Sequence, residues 1–537
     1  MTKDLSTKSN LPWWKKGVIY QIYPRSFKDT SGNGIGDLKG VIKKISYLSK
    51  LGVDAIWLSP IFTSPMKDMG YDVSDYTSID PLFGTIQDFE KLIEKTKEHK
   101  IKIIIDQVLS HSSDAHPFFK LSKSSKNHSK SDWYVWGDAK PDGSPPNNWL
   151  SVFGGSAWEW DTTRKQYYLH NFLKSQPDFN FHNKAVRKWL LSTVKFWLDK
   201  GVDGFRLDTA NYYFHDKNLR DNPATQSKAF GKNPYYYQDL KYSINQENNY
   251  EFLKELRNLT DKYGETTMIG EISNVELQAK YTSNNDKLHM AYSFDFLRDE
   301  FSPRHIRNTV SKFFRETKGG WPTWSFSNHD VVRHLSRWNK SNRKRQKFAR
   351  LTFALLMSLK GTPCIFQGEE LGQTQTKINY DEIKDPPGKK FWPMDFGRDG
   401  CRTPMTWNES KKFAGFSNTK PWLPIKKEQI ANSANKQLIN KDSTFHFYKK
   451  IISLRKKIIF FNEEINFLEN DKVLIFYRGN KKEICCIFNL SEKEIVIENT
   501  FGKIIPSLPS QNVKKDVKKL KMSSYGFCFL TKTDFKM

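Results

Sequence analysis

Short runs of apolar, β-branched and aromatic residues alternate along most of the chain with longer segments whose apolar residues recur at i, i+3 and i+4 spacing. The first pattern suits buried strands and the second suits amphipathic helices, so their alternation predicts parallel strands joined by helical crossovers. The predicted strands are VIYQIYP (18–24), AIWLSP (55–60), IKIIIDQV (101–108), GFRLDTA (204–210), MIGEIS (268–273), AYSFDF (291–296), TWSFSNHD (323–330) and CIFQGEE (364–370). Segments such as LKGVIKKISYLSKLG and IQDFEKLIEKTKEHK supply the helices between them. Eight such strands predict an α/β fold, a (β/α)8 TIM barrel. Two tandem doubly wound sheets are the competing arrangement, but no glycine-rich phosphate fingerprint follows the first strand.

Two intervals break the alternation. Residues 109–185 are rich in Ser, Asn, Gly and Trp and read as a subdomain inserted after the third strand; loops this long in a compact fold are usually functional. A smaller polar and aromatic insertion, about 212–250, contains NPYYYQDL. After the amphipathic helix FHFYKKIISLRKK come short strands such as VLIFYRG, EICCIFNL and YGFCFLTK. The expected organisation is therefore a catalytic barrel over 1–108 and 186–459, an insertion over 109–185 and a C-terminal all-β, sandwich-like domain over 460–537.

Composition narrows the class. At 37% hydrophobic residues, the 537-residue chain can bury a large core, which rules out wholesale disorder. Five irregularly spaced cysteines suit neither a disulfide framework nor a zinc site and point to a reducing compartment. The N-terminus MTKDLSTKSNLPWWKKG lacks the apolar core of a signal peptide, and no long apolar run marks a membrane span, so a cytoplasmic protein without a membrane partner is expected. The net charge of +27 would suit a polyanion. No helix-turn-helix, zinc or RNA-binding signature accompanies it, so no nucleic-acid partner is expected and the charge is assigned to solvated faces.

Carboxylates recur where the predicted strands end: Asp106, Asp208, Glu271 and Asp330, with Arg206, His111 and His329 beside them. Crowded anions raise one another's pKa, so packing alone would not select this arrangement, and the C-terminal strand ends are where barrels place their chemistry. Arg206 precedes Asp208 by two positions, which puts both on one face of a strand, where the guanidinium should keep Asp208 ionised. Zinc ligation by the two histidines lacks a third ligand at metalloprotease spacing.

DQVLSH (106–111), GFRLDTANY (204–212), GEIS (270–273) and SNHD (327–330) resemble, in order, the motifs of the α-amylase superfamily, glycoside hydrolase family 13. WWKKGVIYQIYPRSF (13–27), QPDFN (176–180) and GRDGCRTPMTW (397–407) are similar to its oligosaccharide-cleaving α-glucosidase branch. The resemblance implies a retaining, exo-acting α-glucosidase with Asp208 as nucleophile, Glu271 as general acid/base and Asp330 as a transition-state stabiliser. It implies that His111 and His329 hydrogen-bond the bound glucose. Asp68 and Tyr71 match the end-recognising acid and stacking aromatic, and Arg402 matches the arginine pairing with that acid. Phe153 and Phe172 match apolar lining residues, although ordinary packing also accounts for each. Thr209, after the nucleophile, matches the α-1,4 type of this branch, where α-1,6 enzymes tend to carry Val.

The resemblance also bears on cofactors and substrates. In DTSGNGIGD (29–37), Asp29, Ser31, Asn33, the Ile35 carbonyl and Asp37 offer oxygens suited to a structural Ca²⁺ or Mg²⁺, with no cofactor expected for catalysis. Ser31 and Asn33 depart from the more acidic ligands usual there. The expected partner is a small di- or oligosaccharide, maltose-like, with sucrose also open. Glucosyl transfer, sucrose isomerisation, α-1,6 cleavage and trehalose or trehalose-phosphate hydrolysis could use the same acids. A catalytically dead binding relative would have lost them.

Overall fold

In the computed structural model, residues 11–226, 233–458, 463–516 and 518–532 are described. The predicted boundary between barrel and C-terminal domain at 459/460, and the first ten residues, lie outside them. Eight parallel strands form the barrel: β1 (Ile19–Ile22), β2 (Ala55–Leu58), β3 (Lys102–Gln107), β4 (Gly204–Leu207), β5 (Thr267–Ile272), β6 (Met290–Ser293), β7 (Thr323–Trp324) and β8 (Thr362–Phe366). Each pairs with its neighbour in chain order, β8 returns to β1, and a parallel bridge from Ala291 to Pro322 closes the gap between β6 and β7. All eight lie within the predicted segments or within two residues of them, but β7 is much shorter than TWSFSNHD suggested. After Trp324 the side-chain hydroxyl of Ser325 bonds the Ser327 carbonyl and Asn328 caps the Asp330 amide. Local hydrogen bonds of this kind replace the ladder, so Asp330 is presented by a turn.

The period-2 alternation of a strand explains how the barrel carries charge without losing its core. Outward residues such as Tyr20, Ile56, Ile103 and Phe205 join the large core under the helices. Inward residues Ile19, Ala55, Ile104, Ile269, Met290 and Cys364 fill the barrel's lower interior, plugged by Trp14 and Trp321. One step further along the same inward rows come Gln21, Trp57, Asp106, Glu271 and Tyr292, with Arg206 above Gly204. A β-carbon at Gly204 would lie 2.6 Å from the Thr267 carbonyl oxygen, so the row tolerates only glycine there.

Helix Ile86–Glu98 starts from a Thr85–Asp88 capping box, and Asn183 caps helix Lys184–Asp199, which precedes β4. Between β3 and β4, strands Trp136–Gly137, Trp158–Asp161 and Gln166–Leu169 form a small antiparallel sheet over a core that includes Val135, Trp149 and Trp158. After the barrel, a seven-stranded antiparallel sheet runs from Ile465–Leu468 to Lys519–Thr531. All five cysteines are free and buried. No helix among the described residues is long and apolar enough to cross a membrane.

Candidate active site

The site is organised around one fully buried guanidinium. Arg206 Nη1 donates to Asp106 Oδ1 at 2.8 Å and to Asp208 Oδ1 at 2.7 Å. Its Nη2 donates to Glu271 Oε2 at 2.5 Å and to the Tyr292 hydroxyl at 2.8 Å. Strand register produces this arrangement: Arg206 is opposite Asp106 on one side and Ile269 on the other, and Glu271 follows Ile269 by two. Burial pushes the Asp208 carboxyl up to about 7, with Arg206 opposing and Asp106 and Asp330 adding to the rise. Burial likewise raises Glu271 to about 7, against Arg206 and with Asp208 and Asp330 adding to it, and raises Asp106 to about 6. The guanidinium opposes the rise of Asp208, but desolvation outweighs it.

Thr209 takes φ of +40°, a left-handed conformation that is unfavourable for a β-branched residue. The turn aims its backbone N–H at Glu271 Oε2, 3.2 Å away, and brings its hydroxyl 3.3 Å from Asp208 Oδ2. Local strain thus coincides with contacts to both acids.

A second cluster forms the adjoining wall. Arg398, not singled out from the sequence, donates to Asp68 Oδ1 at 2.7 Å and to Asp385 Oδ1 at 2.6 Å, with Nη1 3.5 Å from Asp330. This corrects the expected partner of Asp68. Arg402 lies four residues further on, past the single 3-10 turn Asp399–Cys401, which carries it behind the wall. There it is fully buried, bonding the His329 carbonyl at 2.7 Å and Asp330 at 3.0 Å. Burial works upward on Asp330, but the contact with His329 and the guanidiniums of Arg402, Arg398 and Arg206 outweigh it and hold this carboxyl below the ordinary range.

Between the two clusters opens a cavity of about 540 Å³, lined by Asp68, Tyr71, His111, Phe153, Phe172, Asp208, Thr209, Glu271, Asp330 and Arg398. Tyr212, Tyr235, Tyr236, Leu240 and Phe294 add an aromatic and apolar mouth. Phe153 and Phe172 therefore line the site, with ring centroids 5.6 Å apart, and Arg398 lies over Phe153 at 5.2 Å. His111 meets the Tyr71 carbonyl at 3.1 Å, and burial lowers its pKa to about 4. Gln176 of QPDFN contacts both His111 and Asp68. His329 departs from expectation: it is fully buried behind the wall, with Nδ1 2.7 Å from Gln21 Nε2 and Nε2 on the Tyr71 hydroxyl. Stacked against Tyr71 at 5.5 Å, it braces that ring instead of facing the cavity.

The loop 29–37 is not part of the cavity wall. Asp29 accepts from the Ser31 and Ser417 hydroxyls and the Gly32 and Gly34 amides. Asp37 accepts from the Thr30 amide and hydroxyl and the Ser31 and Gly40 amides, and Asn33 Oδ1 accepts from the Ile35 amide. A carboxylate has about four lone-pair positions, and both acids have theirs filled by the protein. In this arrangement the carboxylate oxygens of Asp29 and Asp37 are engaged by protein donors.

The model of the alpha-amylase catalytic domain matches residues 21–463. A probable alpha-glucosidase of Rhizobium meliloti (strain 1021) is 48% identical over 525 residues, covering 94% of this chain and 95% of that protein. An oligo-1,6-glucosidase of Heyndrickxia coagulans is 37% identical over 524 residues, covering 90% and 93%. Among solved structures, an alpha-glucosyl transfer enzyme superposes with a TM-score of 0.94 at 44% identity, covering 97% of this chain and 99% of that one.

Proposed function

The chain belongs to the α-amylase family, and from that membership we propose that it is a retaining, exo-acting α-glucosidase. It releases α-glucose from the non-reducing end of short α-glucosides, with a preference for α-1,4 bonds. The observation that carries this reading is the single Arg206 guanidinium that holds Asp208 and Glu271 together at the floor of a cavity walled by Asp68 and Arg398. Retaining hydrolysis uses two such carboxyls side by side. Asp208 attacks the anomeric carbon while Glu271 gives its proton to the departing oxygen, leaving a β-glucosyl ester on Asp208. Glu271, now ionised, takes a proton from water, whose oxygen displaces Asp208 and gives glucose of retained configuration. Glu271, raised to about 7 by its burial, suits the role of carrying the proton that the departing oxygen takes.

Asp330, held ionised by Arg402 and Arg398, is placed to bind ring hydroxyls and the developing positive charge. The Asp68–Arg398 pair supports exo-action, since it closes the cavity around one terminal sugar. The α-1,4 preference rests on Thr209. The glucosyl-transfer relative and the apolar cavity mouth favour a second outcome, in which a sugar or another alcohol replaces water as acceptor. Chromatography of products from maltose, isomaltose, sucrose and trehalose separates the readings. Transfer products with no gain of free glucose would sink the hydrolase assignment.

A further inference from the structure

Tyr292 is the register partner of Glu271 across β5 and β6. Its hydroxyl donates to Glu271 Oε1 at 3.2 Å and accepts from Arg206 Nη2 at 2.8 Å. The same Nη2 donates to the other oxygen of Glu271, so hydroxyl, guanidinium and carboxylate close a ring of three hydrogen bonds. The two oxygens are not equivalent. Oε2 is fixed by Arg206 and the Thr209 amide, whereas among the described residues Oε1 accepts only from Tyr292. One lone pair of Oε1 therefore remains to carry the proton that a leaving group receives. The ring itself is locked: it is 3% exposed and packs at 6.0 Å on Trp57 and 6.5 Å on Phe294.

We propose, on the reading of Glu271 as general acid/base, that Tyr292 is the positioning residue that aims Oε1 at the leaving group and stabilises the carboxylate left after proton transfer. Rotation of Glu271 about its last bond would exchange its oxygens, and the closed ring opposes that rotation. The charged and titratable groups facing Glu271 are Arg206, Asp106, Asp208 and Asp330, with Tyr212 at its side. Of these, only Arg206 donates to it, which leaves Tyr292 as its one neutral side-chain donor among the described residues. Burial holds the phenol well above its ordinary range, so the hydroxyl stays a donor throughout the working pH range.

Tyr292→Phe keeps the ring and removes the donor. Steady-state rates of the full chain, wild type and Y292F, are measured on maltose and on a 4-nitrophenyl α-glucoside across pH, alongside Tm. The expected result is a kcat loss of ~10-fold on maltose and little loss on the activated aryl glucoside, which needs less acid assistance. The basic limb of kcat/KM should move up by about half a unit to one unit, because the ionised form of Glu271 loses a hydrogen bond. In a Glu271→Gln background the same change should add almost nothing on maltose, whereas a merely structural role would act equally in both backgrounds. Superimposable pH profiles, or equal losses on both substrates, overturn the proposal while leaving the glucosidase reading intact. A wild-type chain that releases glucose from neither substrate overturns that reading and the proposal with it.

Discussion

One guanidinium serves three carboxylates on the barrel floor, whereas two guanidiniums serve three carboxylates in the adjoining wall. On the floor, Arg206 meets Asp106, Asp208 and Glu271, and burial wins: the acids rise to about 6, 7 and 7. In the wall, Arg398 and Arg402 share Asp330 and Asp385; burial works upward on both, but His329 together with the guanidiniums lowers Asp330, and the guanidiniums lower Asp385, below the usual carboxylate range. Asp68, which meets Arg398 alone, stays raised by its burial. Asp330, at 20% exposure, is less dry than Asp106, Asp208 and Glu271 at 0, 8 and 8%, so lighter desolvation and a higher ratio of positive to negative groups act together to keep it ionised. In the proposed function, proton transfer falls to the floor, where positive charge is scarce, and sugar binding to the wall, where it is ample.

Asp208→Asn gives the largest expected effect. Turnover should fall on the order of 10⁴-fold or more, since an amide cannot form the glycosyl ester. It should also relieve the floor. A carboxyl raised in the folded state contributes stability that is complete below its unfolded pKa and is lost as pH rises through the folded value, here between about 4 and about 7. The wild type should therefore lose Tm over that window more steeply than D208N, and D208N should melt ~2 °C or more higher above pH 7. Thermal scans from pH 4 to 8 check this; parallel curves would mean that Arg206 compensates the floor after all. Glu271→Gln should depress maltose cleavage by ~10³-fold and activated aryl glucosides far less. Equal damage to both substrate types would count against the acid/base assignment.

Arg398→Ala tests the wall. It leaves Asp68 and Asp385 buried without their closest cation, so a stability loss of ~3 kcal/mol is expected from breaking buried pairs. KM for maltose should rise by about two orders of magnitude, with kcat less affected, because binding of the terminal sugar is the role proposed for the wall. The sign of the pH effect is opposite to that of the floor. Asp385 and Asp330 are lowered, so their contribution is present above the unfolded pKa and is lost as pH falls through the folded value. The deficit of R398A in Tm should accordingly be greatest near pH 7 and shrink toward pH 3, which denaturation across that range would register.

The floor was legible in the sequence and the wall only partly so. Asp106, Arg206 and Glu271 lie on or at the end of strands whose period-2 rows are written directly in the chain, and Asp208 follows one of them by a single residue. Arg398 and Asp385 come from irregular backbone, where spacing does not fix direction. A shift of four residues along GRDGCR exchanged the arginine facing Asp68 for the one behind Asp330. The signal lay in the same quoted run, two cations around one 3-10 turn, but nothing in it says which points into the cavity. Tyr292 was readable from register alone, since it continues the inward row above Met290.

A third group of acids, the pair Asp29 and Asp37, completes the series with no guanidinium at all. Asp29 and Asp37 are satisfied by neutral N–H and O–H donors, and one of these, the Ser417 hydroxyl, arrives from a distant loop at 2.5 Å. Burial works upward on Asp29, but the hydrogen bonds from Ser417, Gly32, Gly34 and Ser31 bring it below the usual range. If filled lone pairs replace a cation here, dialysis against a chelator should leave Tm within ~1 °C of its starting value, because nothing that holds the loop is removed. Ser417→Ala should cost about 1.5 kcal/mol, the worth of a hydrogen bond to a charged acceptor. It also vacates a lone pair on Asp29, so this variant, unlike the wild type, should gain Tm on addition of Ca²⁺. A wild-type chain that loses several degrees to the chelator and recovers them with Ca²⁺ would show that the loop opens for an ion, and that scarcity of positive charge is relieved there as Arg398 and Arg402 relieve it in the wall.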